Sequence, residues 1–154
     1  MGYSISGVEL IDDQTGEVID AVTAALLRAF TKIGGKAEGY AKALCPVDTG
    51  NLRNSITFQT DPEEEGVYVT IGTNVEYAPY IELGTGKEYE PPPEWMEAHG
   101  GKKGRGLDSW MYQDADGNWH RAFPRRPVKF IQRAVKNHIE EYEDIITNAL
   151  QSIE

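Results

Sequence analysis

The strongest pattern in the chain is an apolar stripe at Val18, Val22, Leu26, Phe30, Ile33, Ala37, Tyr40 and Leu44. Spacings of three and four put these residues on one face of an amphipathic helix. The stripe predicts a helix over residues 17–44, about 42 Å long at 1.5 Å per residue. Asp13 or Thr15 is placed to cap its start. Pro46 ends it, because the residue before a proline avoids the α region. Gly34, Gly35 and Gly39 each weaken its second half by roughly 1 kcal/mol relative to Ala, unless they mark where another backbone packs close.

A second stripe runs through Val128, Ile131, Ala134, Val135, His138, Ile139, Tyr142, Ile145, Ile146, Ala149 and Leu150. It predicts one long C-terminal helix. Pro127 opens it at the first helical position, where a missing N–H would be unpaired in any case.

Between the stripes the period changes to two. Residues 56–60 and 67–71 read as strands, the second alternating cleanly with Val67, Val69 and Ile71 on one side. Residues 61–66 form the tip of their hairpin, and its three glutamates are a solvated turn rather than a cluster. Residues 78–83 make a short helix stopped by Gly84. Trp110, Met111 and Tyr112 on one side of an Asp-Gly turn, with Trp119 and His120 on the other, read as a second hairpin. Residues 86–108 hold three consecutive prolines and many glycines, which predicts a long flexible loop. Residues 1–12 alternate loosely and read as an extended arm or short strand. The fold class is therefore α+β: one domain over residues 1–154, with two long helices packed on one face of a small antiparallel sheet.

Composition narrows this picture. A chain of 154 residues suits a single domain that needs no disulfide or metal to fold. The single cysteine, Cys45, excludes an intrachain disulfide. No apolar run approaches the ~18 residues of a membrane span, and the opening residues lack the basic start and apolar core of a secretory signal. The net charge of −10 opposes free nucleic acid on average. That average hides an asymmetry. Residues 100–133 carry Lys102, Lys103, Arg105, Arg121, Arg125, Arg126, Lys129 and Arg133 against three aspartates, about +5, while the remainder is about −15. One basic segment on an acidic body suits head-to-tail docking of copies, or is a solvated loop.

Three candidate chemistries fail on the residues, and a fourth, nucleic-acid contact, stays open as an alternative. A nucleophilic Cys45 needs a partner base, and none of His99, His120 and His138 lies in a context that announces one. The structural reading of Cys45 is a small apolar residue closing the helix face. Gly84-Thr85-Gly86-Lys87 has Ile81 where a phosphate loop needs its first Gly, and Glu88 where it needs Ser or Thr. Asp114, Asp116 and Asn118 open like a calcium loop, but Trp119 and Arg125 stand where it requires Gly and Glu. Lys102, Lys103 and Arg105 near Trp110 could track a single nucleic-acid strand, yet the segment is short and the body acidic. No catalytic residue, cofactor site or metal site is expected.

What remains is an ordered set of motifs. Cys45-Pro46-Val47-Asp48-Thr49-Gly50-Asn51-Leu52-Arg53-Asn54-Ser55-Ile56 leaves the first helix. Ile71-Gly72-Thr73-Asn74 closes a strand, and Tyr77-Ala78-Pro79-Tyr80-Ile81-Glu82-Leu83-Gly84-Thr85 follows. Residues 124–131, Pro-Arg-Arg-Pro-Val-Lys-Phe-Ile, open the last helix. The set resembles the tail-component family of long-tailed bacteriophages and prophages, whose members are head–tail joining or tail-completion proteins. The family motif falls on Pro46, Asp48, Thr49, Gly50, Leu52, Arg53, Ser55, Gly72, Thr73, Tyr77, Ala78, Tyr80, Glu82, Gly84 and Thr85. Val128-Lys129-Phe130-Ile131 departs from the family's compact Pro-Phe-Leu. The resemblance implies a non-catalytic structural protein of the virion neck. Its partners would be copies of itself in a ring, the phage connector, and the tail tube or terminator proteins, with passive contact to DNA in the channel and none with membrane. A tail terminator is the alternative within that class; a Cys45-dependent hydrolase is the alternative outside it. Lys102, Lys103, Arg105, Trp110, Arg125 and Arg126 are the candidate interface. Within the corner, Asp48 is expected to cap the turn, Val47 to staple onto Leu52, and Arg53 to reach Glu76 or Glu82.

Overall fold

The structure, a computed structural model, describes residues 2–6, 16–64, 66–92, 94, 97 and 106–153. Its elements are β1 (Gly2–Ser6), α1 (Gly16–Leu44), α2 (Asn51–Ser55), β2 (Thr57–Glu63), β3 (Gly66–Gly72), α3 (Ala78–Leu83), a 3-10 turn (Gly86–Glu88), β4 (Trp110–Gln113), β5 (Trp119–Ala122), α4 (Phe130–Lys136) and α5 (Ile139–Gln151). The class is α+β, with two small antiparallel sheets. The chain divides into two compact units, Met1–Val75 with Phe130–Glu154, and Glu76–Lys129.

The first unit is built on the long stripe. α1 spans Gly16–Leu44, as its periodicity predicts; the proposed caps Asp13 and Thr15 lie outside the described residues. α1 packs on β2 and β3, and on α4 and α5. Leu26, Ala29 and Phe30 meet Val67 and Val69 of β3, with Ile145, Ile146, Ala149 and Leu150 of α5 packed against the same cluster. Fully burying an apolar side chain of this size contributes about 1.5–3 kcal/mol.

The sheet order is β1-β3-β2, so the N-terminal segment pairs antiparallel with the central strand, Tyr3 opposite Ile71 and Ile5 opposite Val69. β2 runs further than expected, through Pro62 to Glu63, and leaves only two residues for the tip. Pro62 is tolerated because β2 is an edge strand.

The glycines of α1 separate into distinct roles. A Cβ on Gly34 would lie 2.2 Å from Cδ2 of Phe58, so this glycine admits an aromatic ring rather than another backbone. Gly39 has nothing within 4 Å of its missing Cβ.

The C-terminal stripe is corrected. It forms two helices, and Pro127 does not open the first. The N–H groups of Val128 and Lys129 donate to the carbonyls of Ile81 and Glu82 at 2.9 and 3.1 Å, and Glu90 N–H donates to Leu83 at 2.7 Å. These bonds satisfy the end of α3, whose last carbonyls have no partner within the helix. Lys129 then turns at φ 56, the left-handed region, and α4 starts at Phe130. The second break falls at His138. A continuous helix would pair the Ala134 carbonyl with the N–H of residue 138; here the buried Tyr142 hydroxyl donates to it at 2.7 Å. Burial holds that phenol above its ordinary pKa.

The α4–α5 junction is also tied to α1. Glu141 accepts from Lys36 Nζ at 2.6 Å and from the Tyr40 hydroxyl at 2.7 Å. His138 stacks on Tyr40 with ring centroids 3.6 Å apart. The Lys36 hydrogen bond, then that of Tyr40, holds the Glu141 carboxyl below the usual glutamate range.

Candidate protein-binding surface

The corner after α1 keeps its predicted place but not its predicted cap. α2 spans Asn51–Ser55, and its N-cap is Gly50 at φ 83. Gly50 O accepts from Asn54 N at 2.9 Å, and Thr49 Oγ1 accepts from Asn51 N at 3.3 Å. Asp48 is exposed and makes no hydrogen bond or ion pair among the described residues. Val47 is 54% exposed, so no staple forms, although Leu52 is buried. The left-handed turn at Gly50 is the physical reason: it starts the helix two residues later than a cap at Asp48 would. Pro46 and Arg53 are exposed, and Arg53 forms no ion pair among the described residues. Ser55 Oγ donates to Leu52 O at 2.7 Å and lies 2.6 Å from Thr73 Oγ1. Thr73 Oγ1 also accepts from Val75 N, directly after β3 ends at Gly72.

In the second unit, Ala78 and Glu82 of α3 are fully buried, and Glu82 is the buried charged residue of the described chain. Gly84 ends α3 at φ 78. A Cβ there would lie 2.7 Å from the carbonyl oxygens of Arg125 and Glu88. Thr85 clasps the returning chain, its N–H donating to Arg125 O and its Oγ1 accepting from Arg125 N, both at 2.9 Å. The long 86–108 excursion is closed at its base by Lys87 N–H to Leu107 O at 3.0 Å and by the Lys87–Asp108 ion pair at 2.9 Å.

β4 and β5 form the predicted hairpin, Trp110 opposite Ala122 and Gln113 opposite Trp119. Asp114 organises its turn. Oδ1 accepts from Asp116 N and Asn118 N at 3.0 and 2.8 Å, and Oδ2 lies 2.6 Å from His120 Nε2. The His120 contact, then the Asn118 N–H, holds the Asp114 carboxyl low. The residues that open like a calcium loop are a hairpin turn.

These elements enclose an open groove of about 1030 Å³ with mostly apolar walls: Tyr77, Tyr80 and Leu83 from α3 and its flank, Leu107, Trp110 and Tyr112, and Phe123 with Arg125. Tyr80 is 61% exposed and Phe123 is 66% exposed. Aromatic residues presented together beside a guanidinium are the composition of a protein-binding surface.

The candidate interface residues fall in different places. Trp110 and Arg125 line the groove. Arg126 sits 3.8 Å from Glu88, and Lys129 pairs with Glu90. Much of the described basic segment is therefore engaged within its own unit, not offered as a free charged patch. Lys102, Lys103 and Arg105 lie outside the described residues. Phe123, Tyr112 and Leu107 were not expected; four-residue strands show no periodicity that would say which face stays uncovered.

Cys45 is 4% exposed. The two described histidines face other groups, His120 on Asp114 and His138 on Tyr40. Among the described residues no three His, Cys, Asp or Glu side chains converge on a metal position, and no helix is long and apolar enough to cross a membrane.

No curated protein and no solved structure is a significant match to the chain. Residues 11–84 do match a family model, described as "Bacteriophage HK97-gp10, putative tail-component". The matched span runs from before α1 through the Gly50 corner and the β2–β3 hairpin to the end of α3, and over that span the chain is similar to the bacteriophage tail-component family.

Proposed function

We propose that the protein is a structural subunit of the phage neck, which joins or completes the head–tail connection as one copy in an oligomeric ring. The observation that carries this reading is the match of residues 11–84 to the tail-component family. The groove of Glu76–Lys129 supports it, because exposed aromatic surface is what a partner protein covers. Its partners are copies of itself, the connector and the tail tube or terminator, and it acts in the virion without catalysis. A net charge of −10 would let DNA pass the ring without sticking to it.

Electron microscopy of particles made without the protein tests this. The expected result is DNA-filled heads and separate finished tails that fail to join. Joined, infectious particles would overturn it.

A further inference from the structure

Val47 and Asp48 stand at the corner between α1 and α2, and the fold uses neither. Val47 is 54% exposed, and Asp48 has no partner among the described residues. The turn is held without them, by Gly50 and Thr49. An apolar side chain next to an unpartnered carboxylate is thus displayed on the surface. The groove of Glu76–Lys129 has the reciprocal chemistry. Tyr80, Trp110 and Phe123 line it, and Arg125 lies among them, exposed and without a side-chain partner among the described residues. The other described cations of that unit are engaged: Lys87 with Asp108, Arg126 with Glu88, Lys129 with Glu90, and Arg121 with Ser109. The formal charges point the same way. Glu76–Lys129 is close to neutral, and the other unit carries nearly all of the −10.

We propose that the groove on one copy receives the Val47–Asp48 corner of a second copy, with Val47 among the aromatic rings and Asp48 against Arg125. This rests on the neck-ring reading and names the contact within it. Groove and corner are different surfaces of one chain, so the contact is head-to-tail, repeats from copy to copy, and closes into a ring if its rotation allows. A two-fold contact of groove on groove would instead leave Asp48 without a partner.

The test is cross-linking in assembled particles. Phage carrying both Val47→Cys and Phe123→Cys are oxidised and run on a non-reducing gel; Cys45 stays in place because it is buried. The double variant should give a ladder of dimer, trimer and higher multimers, and either single variant only monomer. Joined particles that contain the double variant and give no ladder overturn the contact while leaving the neck reading intact. A dimer from Phe123→Cys alone also overturns it, in favour of a two-fold contact. Joined particles that lack the protein altogether overturn the neck reading instead. A charge exchange covers any loss of the cysteine variant. Asp48→Arg and Arg125→Asp should each reduce infectious titre, and the two together should restore it. A double exchange no better than the singles also sinks the proposal.

Discussion

The two units treat their large apolar side chains in opposite ways. In Met1–Val75 with Phe130–Glu154, the large exposed hydrophobics among the described residues are Val47 and Ile139. In Glu76–Lys129 they are Tyr77, Tyr80, Leu107, Met111, Tyr112, Trp119 and Phe123. The first unit holds α1 between a sheet and two helices. Among the described residues the second holds a short helix, a clasp at Thr85 and a two-stranded hairpin, and its aromatics stay exposed. An isolated hairpin is marginal by itself, and backbone clasps at Thr85 and Lys87 with the Asp114 turn tie the described parts of this unit together. On the proposed function, stability is assigned to one region and recognition to the other.

That assignment breaks most visibly at Gly34. Gly34→Ala puts a methyl 2.2 Å from Cδ2 and 2.8 Å from Cγ of Phe58, too close to the ring's attachment for a small adjustment. Overpacking of this kind costs about 1–3 kcal/mol, and each kcal/mol lowers the melting temperature by roughly 2–4 °C at this chain length. Thermal unfolding measured by circular dichroism checks it. Tyr142→Phe comes next, because it leaves the Ala134 carbonyl buried without its donor. The expected loss is about 1–2 kcal/mol in urea unfolding. Gly39→Ala runs the other way. Nothing lies within 4 Å, so the helix gains up to about 1 kcal/mol. A loss there would mean that the missing Cβ at Gly39 meets a contact in solution.

A weaker effect is expected from Glu141, whose side chain and that of its partner Lys36 are 35% and 37% exposed. The folded carboxyl is held below its ordinary value, chiefly by the Lys36 hydrogen bond. Its contribution is therefore present above the unfolded glutamate value, about 4.3, and is lost as pH falls through the lower folded value. Lys36 is held above its ordinary value by the same bond, so its share fades only as pH rises through that raised value. Glu141→Gln should flatten the acid limb of a melting-temperature profile. An unchanged acid limb would mean that the contact is silent in solution.

Local periodicity made α1 and the β2–β3 pairing legible in the sequence, while the Gly84 stop and the Asp-Gly turn made α3 and the β4–β5 hairpin legible. The break at His138 was not legible, because Val135, His138, Ile139 and Tyr142 keep a helical spacing straight across it. What marks that break is a phenol, Tyr142, reaching back to the Ala134 carbonyl. The cap at the corner was misjudged for a related reason. Asp48, Thr49 and Gly50 are all competent caps, and only the backbone angle at Gly50 chooses among them. The ion pairs of the basic segment were not legible either, because Arg126 and Lys129 meet Glu88 and Glu90, some forty residues earlier. Tyr77, Tyr80 and Trp110 were marked from the motif or the charge pattern. Phe123 carries no signal of exposure at all, and its role comes only from the groove around it.

The smallest effect expected on stability is the one that tests the comparison most directly. Phe123 is 66% exposed and Tyr80 is 61% exposed, so Phe123→Ser and Tyr80→Ser remove side chains that are largely in water already. Surface substitutions of that kind usually change stability by no more than about 0.5 kcal/mol in either direction. Unfolding of the purified chain should therefore be nearly unchanged. If the groove is a binding surface, the same variants should reduce head–tail joining sharply, because aromatic residues central to an interface carry a disproportionate share of its energy. Counting joined particles by electron microscopy, alongside urea unfolding of the same variants, separates the two quantities. A variant that joins normally with unchanged stability would show that the aromatics are ornamental. A variant that unfolds readily would show that the second unit depends on them as a core, and that stability and recognition are not divided between the units.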